Sequence, residues 1–452
     1  MASGSTPSCV PRATRSKRAH PRSSGTSSAS AAWACPKTRA GLRGKSRGDT
    51  SKTSRLRPWR RREADSPLRS HAMEVNLSED QIQMANQARR FFENLMPMEY
   101  VRSMLEDPRG YTDPVWNKMA EMGWMGMCLP EAYGGLGLGL LDLSVVLEEM
   151  GRAVAPGPFF STVLLAAEAL VQAGTEEQKN RYLPLIASGT LLGSLALHEP
   201  EGGADPGYVR MPARPRAGGY TLSGTKLFVP DAHTAQILVC VARAGGMRRK
   251  EGGLALFVLK TETPGLTTRL LPTMDGTRKL CAVDFKRVKV QPEDVLGDLT
   301  NGQETLERVL QKAAVGLSAE CVGGAQKAME IATEYAKVRV QFDQPIGSFQ
   351  SIKHRCAQMF VEVESARSVL YWAAWAQDHG DPMEAALSSS VAKVYCSEAY
   401  RNTCASAIQV LGGTGFSWEH DIHLYLKRAK ANEVALGDPV YHRERIVRLL
   451  AG

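Results

Sequence analysis

The stretch GQETLERVLQKAAVGLSAECVGGAQKAMEIATEYAKVRVQFDQPIGSFQ, residues 302–350, governs the reading of this chain. No proline occurs between Pro292 and Pro345. Leu306, Val309, Leu310, Ala313, Leu317, Cys321 and Gly324 fall on one stripe of a very long helix. The pair Gly323-Gly324 inside it costs about 1 kcal/mol per glycine relative to alanine. A close backbone contact would explain that cost. The helix ends at Arg339-Val340-Gln341-Phe342, and a turn at Pro345-Ile346-Gly347 leads into the next.

Outward from this stretch the helical pattern continues to the C-terminus. A second helix carries Ile352, Cys356, Met359, Val363, Ala366 and Leu370 on one face. Asp381-Pro382-Met383-Glu384 caps a third, with proline at the first helical position. The third stops at Gly412-Gly413, and a fourth covers about 422–436. Four long antiparallel helices predict a bundle.

Upstream, residues 191–299 have another character. Short apolar runs rich in β-branched residues alternate with Gly and Pro turns, at about 192–197, 220–229, 237–241, 254–259, 266–271 and 279–290. These predict a small antiparallel sandwich or barrel. Residues 78–190 are helical again, with about five helices. Ser78…Gln81 and Thr175…Gln178 are capping boxes, and Pro130-Glu131-Ala132-Tyr133-Gly134-Gly135 is a tight loop. The fold class is therefore α+β, mostly α. An N-terminal α-domain covers 73–190, a β-domain 191–299, and a helical bundle 300–452.

Residues 1–72 stand apart. They hold 17 Lys and Arg against three acids, which leaves 39 basic and 44 acidic residues in 73–452. The net charge of +9 thus belongs to the extension, and nothing argues that the folded part binds nucleic acid. The extension has too little apolar content to offset chain entropy and is expected to be disordered. Three readings compete: an organelle transit peptide, which its Arg-rich and Ser-rich composition suits; a nucleic-acid-binding arm; and sequence upstream of a start at Met73. The third is the one we take, with a cytoplasmic protein; a transit peptide would imply the mitochondrial matrix. No run of eighteen apolar residues predicts a membrane span. Nine scattered cysteines form no C-x-x-C pair and no zinc spacing, so buried free thiols are expected.

Two stretches carry candidate chemistry. Arg339 offers a planar fork for two phosphate oxygens, Phe342 a surface for a flat ring, and Gln341 and Gln350 bonds for polar edges. By itself a helix-end arginine is usually a solvated charge. Gln409-Val410-Leu411-Gly412-Gly413-Thr414-Gly415-Phe416 has three glycines in four residues, more than a helix cap needs. Such glycines let a ligand approach backbone amides, though glycine clusters at helix ends are usually caps.

In this order and in an α–β–α chain, the motifs resemble the acyl-CoA dehydrogenase family. Arg339-Val340-Gln341-Phe342…Pro345-Ile346…Gln350 is similar to its R-x-Q-F-x-x-P-I-x-x-x-Q element, and Gln409…Gly412-Gly413-Thr414-Gly415-Phe416 to Q-x-x-G-G-x-G-F. The 130–135 loop and Gly224-Thr225-Lys226 match two further elements. The resemblance implies FAD bound across a subunit interface by Arg339, Gln341, Phe342, Gln350, Gln409, Gly412 and Gly413. It also implies α,β-desaturation of an acyl-CoA by α-proton abstraction and hydride transfer to flavin. A homo- or hetero-tetramer and an electron-transfer flavoprotein as acceptor would follow.

The sequence departs from the family where the chemistry lies. The carboxylate of Y-E-G-T falls on Leu436, and the alternative carboxylate on the long helix falls on Ala313. Glu320 and Asp438 are the nearby acids, more readily read as a buried carboxylate and a helix cap. The flavin loop T-E-P-x-x-G-S-D reads His198-Glu199-Pro200-Glu201-Gly202-Gly203-Ala204-Asp205, and W-I-T reads Phe228-Val229-Pro230, so three hydroxyls are lost. These changes, with Trp418-Glu419-His420-Asp421, resemble a bacterial subgroup of two-gene dehydrogenases acting on steroid and other bulky CoA esters. There one subunit supplies the base and the other is catalytically incomplete. The catalytic residue stays unassigned. Residues 418–421 could bind a metal or substrate, but capping by Asp421 is the default.

Overall fold

The computed structural model describes residues 76–244, 253–299 and 301–451; the expectation for residues 1–72 lies outside them. The long helix is present as α7, Gly302–Val338, and everything else is arranged about it.

Before it come α1 (Glu79–Leu95), α2 (Met98–Glu106), α3 (Asp113–Glu121), α4 (Leu140–Arg152), α5 (Glu168–Ala173) and α6 (Glu176–Ala187). A π-helical stretch, Phe160–Ala167, runs directly into α5. The capping boxes form as read. Ser78 Oγ accepts from Gln81 N while Gln81 Oε1 accepts from Ser78 N, and Thr175 and Gln178 repeat the exchange.

The sheet strands are β1 (Gly193–Ala196), β2 (Pro212–Arg216), β3 (Gly219–Pro230), β4 (Ile237–Ala244), β5 (Leu254–Lys260), β6 (Leu266–Leu271), β7 (Leu280–Val290) and β8 (Val295–Leu296). They order β6-β7-β3-β2-β4-β5-β8, with β1 also on β4. Most pairings are antiparallel, but β1 and β2 each run parallel to β4. The sequence hides β2 because Pro212 and Pro215 argue against a strand. It survives with four of its five residues paired to β3 and only two paired positions on β4.

Strands β4 and β5 are covered on both faces. Ile237, Val239, Val241, Leu254, Leu256 and Val258 join the core shared with the helices. The alternate residues Leu238, Cys240, Ala242, Ala255, Phe257 and Leu259 fill a second core beneath the sheet. This is why both strands read as continuous apolar runs instead of alternating.

After α7, a small hairpin of β9 (Val340–Gln341) and β10 (Gln344–Pro345) leads to α8 (Gln350–His379), α9 (Pro382–Leu411), α10 (Ile422–Val434) and α11 (Pro439–Ala451). Asp381 Oδ1 caps α9 by accepting from Glu384 N at 2.8 Å. The fourth helix stops at Val434, two residues before the expected end, because Ala435 is extended and Leu436 left-handed. The Gly323-Gly324 cost has its explanation. A Cβ on Gly323 would overlap the Glu148 carbonyl of α4, and one on Gly324 the Tyr400 ring of α9. Helix α7 thus meets the α4 backbone at Gly323 and the Tyr400 ring of α9 at Gly324. Among the described residues, no helix is long and apolar enough to cross a membrane.

Candidate active site

The element after α7 is a two-residue β-hairpin. Gln341 pairs with Gln344, and Phe342 and Asp343 form the turn with φ of 53° and 60°. Two non-glycine residues in the left-handed region make a turn whose twist matches a hairpin. They also store strain of the kind that clusters at functional sites. Ile346 N donates to Arg339 O at 2.8 Å and closes the base of the hairpin. The result projects Phe342 outward, 87% exposed, with its ring edge-on to Phe349 at 6.0 Å. Arg339, Gln341 and Gln350 are exposed beside it, and Arg339 has no ion-pair partner among the described residues. Among the described residues, Gln341 Nε2 donates only to the neighbouring Val340 carbonyl, at 2.8 Å.

The glycine motif is displayed in the same way. Helix α9 ends at Leu411, Gly412 takes φ 61°, and residues 412–416 form a 3₁₀ turn. A Cβ on Gly412 or on Gly413 would meet nothing within 4 Å. The positive φ explains Gly412, but no neighbour among the described residues explains Gly413. Phe416 stands 81% exposed and Gln409 is exposed. No hydrogen bond or ring contact among the described residues joins the two motifs. Each motif is displayed at a helix end, and no contact between them among the described residues accounts for the display.

Leu436, where the family resemblance places a carboxylate, borders one narrow pocket. Leu197, His198, Leu310, Ala314, Leu436 and His442 are among its walls, and Ala313 is buried next to Ala314. The turn at Leu436-Gly437 has φ of 59° and 104° and is held from two sides. Lys393, fully buried, donates to Glu433 O at 3.0 Å and Gly437 O at 2.9 Å. His442 Nε2 lies 3.1 Å from Leu436 O. A carbonyl only accepts, so Nε2 carries the proton. Burial, then Lys393, pushes the His442 pKa down to about 3. Burial likewise lowers Lys393 to about 8. Neither Lys393 nor His442 stands out in the sequence; a lysine in mid-helix and a histidine on α11 carry no motif.

The two nearby acids are committed elsewhere. Glu320 pairs with Arg278 and lies 3.5 Å from Arg428. Arg428 in turn donates to Asp275 at 2.7 Å, to Thr277 Oγ1 and to Ala155 O. This buried network joins α7, α10 and the 275–278 loop. Asp438 caps α11 by accepting from Tyr441 N at 2.8 Å.

The flavin-loop residues divide between support and pocket. Glu199 accepts from Lys226 Nζ at 2.7 Å, from Arg210 N and from Met211 N, so Lys226 of the Gly-Thr-Lys element anchors this loop to the sheet. His198 faces the pocket, its pKa lowered chiefly by burial. Phe228 takes φ 55° and is 56% exposed. The Pro230 carbonyl accepts from Ser194 Oγ.

Asp421 does not cap α10 with its side chain. It pairs instead with Arg102 at 2.6 Å, and His420 Nδ1 accepts from Ile422 N at 3.1 Å. The imidazole reaches the helix end, while the carboxylate finds a better partner in a guanidinium. No cluster of metal-ligating side chains occurs among the described residues. The seven described cysteines are free, five of them buried.

A helical domain, a covered sheet and a helical bundle, with two exposed motifs at its helix ends, define a three-domain class. The chain belongs to the acyl-CoA dehydrogenase family. It matches the family's N-terminal domain over 78–190, its middle domain over 194–288 and its C-terminal domain over 300–451. It is 34% identical over 339 residues to a probable acyl-CoA dehydrogenase, YngJ, of Bacillus subtilis, which spans 74% of this chain and 89% of that one. It is similar in structure to the FAD complex of PigA, with a TM-score of 0.78 and 26% identity over 84% of this chain and 99% of that one. The ChsE4-ChsE5 complex from Mycobacterium tuberculosis gives a TM-score of 0.76 and 26% identity, covering 84% and 99%.

Proposed function

We propose that this chain is an FAD-dependent acyl-CoA dehydrogenase subunit that takes part in α,β-desaturation of an acyl-CoA thioester. The observation that supports the reading is the exposure of Arg339, Gln341, Phe342 and Gln409, with open space about Gly413. Arg339 would pair pyrophosphate oxygens, and Phe342 and Phe416 offer faces for flat rings. Gly412 and Gly413 leave room for backbone approach, and the exposed Gln350 supplies a further polar contact. Bound there, FAD would supply the hydride acceptor. An oligomer, homo- or heterotetrameric, completes each site, with an electron-transfer flavoprotein as acceptor in the cytoplasm.

Among the described residues, none of those considered for the base is suited to accept the α-proton. Leu436 and Ala313 cannot take a proton, Glu320 is held by two arginines, and Asp438 is a cap. His442 is held neutral, but by causes that make it a poor base. We therefore place the catalytic carboxylate on a sibling subunit, a reading supported by the likeness to a two-component complex. The alternative is a subunit that completes a sibling's flavin site and never turns over in its own pocket. Purification alone and with a carboxylate-bearing sibling, with flavin quantified and acyl-CoA oxidation followed, tests both. Absence of bound flavin in every assembly would remove the reading.

A further inference from the structure

Two polar atoms in the pocket beside Leu436 are buried and lack any hydrogen-bond partner among the described residues: His442 Nδ1 and Ser390 Oγ. Ser390 on α9 is 1% exposed and His442 on α11 is 5% exposed, and both residues wall the same pocket. Buried polar groups are nearly always satisfied, so two orphans at one place need an explanation. Their neighbours show that partners were available where structure needed them: Ser389 Oγ donates to Ala386 O, and His442 Nε2 donates to Leu436 O.

The orphans have complementary chemistry. With Nε2 protonated, Nδ1 presents a lone pair and can only accept. Ser390 Oγ can donate and accept. The titratable and charged groups around the imidazole are Lys393 on α9, Arg445, Tyr441 and Asp438 on or beside α11, and His198 after β1. Burial and the two cations keep the imidazole uncharged at neutral pH, so the acceptor persists there. A neutral acceptor beside a hydroxyl suits an uncharged O–H group, which both donates and accepts. His198 and Ala204 line the same pocket, and they stand where the family resemblance leads one to expect hydroxyls.

We propose that Ser390 and His442 form a recognition site for a hydroxyl group of the bound ligand, His442 Nδ1 accepting its proton in a hydrogen bond and Ser390 Oγ completing the pair. The inference rests on the proposed function, with the flavin and the acyl group of the thioester meeting at the pocket beside Leu436. The hydroxyl has two sources, the ribityl chain of the flavin or the acyl group itself.

The test uses the full chain in its assembled, flavin-loaded form, with Ser390→Ala, His442→Phe and His442→Gln. Glutamine keeps an amide N–H for Leu436 O and an acceptor for the ligand. FAD affinity is measured by flavin fluorescence, and butyryl-CoA and 3-hydroxybutyryl-CoA affinities by titrating the flavin absorbance; none of these readouts requires turnover. Loss of one such bond weakens binding about tenfold. A ribityl source predicts weaker FAD binding in Ser390→Ala and His442→Phe with unchanged discrimination between the two thioesters. An acyl source predicts unchanged FAD binding and loss of about tenfold preference for the hydroxylated thioester. Under either source His442→Gln recovers most of the loss. If FAD binds and all affinities stay as in the parent chain, the atoms hold a buried water only and the proposal is overturned. Should the parent chain bind no flavin, the functional reading fails first.

Discussion

At Leu436 a non-glycine residue holds φ 59° beside a glycine at 104°, clamped by a buried lysine and a neutral imidazole. The turn presents an isobutyl group where the family resemblance leads one to expect a carboxylate. Replacing it by Leu436→Glu places an acid in a pocket with Lys393 and His442 near by. We expect that variant to gain slow acyl-CoA oxidation in the flavin-loaded protein, still short of the 10²–10⁴-fold a well-placed base provides. A stopped-flow assay that finds no gain would mean that the His198 and Pro230 changes misplace the flavin as well. Arg339→Ala should weaken FAD about ten- to a hundredfold, the loss of a charge-assisted pair of roughly 1.5–3 kcal/mol. Arg339→Lys should recover only part, because the bidentate fork is gone; equal affinities by fluorescence titration would take Arg339 out of the site. His442 also predicts a pH dependence. Its pKa in the fold is about 3 against an ordinary 6.5, so the unfolded chain takes up the proton first as pH falls. Stability from this group is complete above about pH 6.5. It declines toward pH 3 by up to about 1.4 kcal/mol per pH unit. Denaturant melts should show a shallower acid limb in His442→Gln; identical limbs would refute the assignment.

Among the elements, the two glycine pairs make opposite predictions from the same residue type. A methyl on Gly323 would meet the Glu148 carbonyl, so Gly323→Ala should destabilise by about 1–3 kcal/mol or more as α7 is forced from α4. A methyl on Gly413 meets open space, so Gly413→Ala should leave the melting temperature alone while lowering flavin content. Thermal melts of the two variants separate packing from ligand approach; a destabilised Gly413→Ala would turn its glycine into a plain cap. This contrast also marks what the sequence could disclose. Capping boxes, helix α7 and the Gly323-Gly324 contact were legible because each is a local rule with one physical cause. Strand β2 was not, since two prolines speak against it and only the neighbours β3 and β4 stabilise it. The side-chain cap expected of Asp421 failed for a related reason: Arg102 is 319 residues away in sequence, and no local pattern reports it. Lys393, Ser390 and His442 were equally hidden, because a buried polar group reveals itself only through what surrounds it.

For the whole molecule, the charge balance and the exposed motifs set the expectations. Residues 1–72 carry the excess basic charge and little apolar surface. A protein beginning at Met73 should therefore melt and bind flavin as the full chain does; a large drop in melting temperature would show that the extension contributes to the fold. The central claim is that the chain keeps a flavin site while lacking its own proton acceptor. Anaerobic bleaching of the bound flavin by a panel of acyl-CoA thioesters tests it most directly, with the protein alone and after assembly with a sibling that carries the carboxylate. The account predicts bound flavin in both cases and bleaching only in the mixed assembly. Bleaching at ordinary enzyme rates by the protein alone would contradict it.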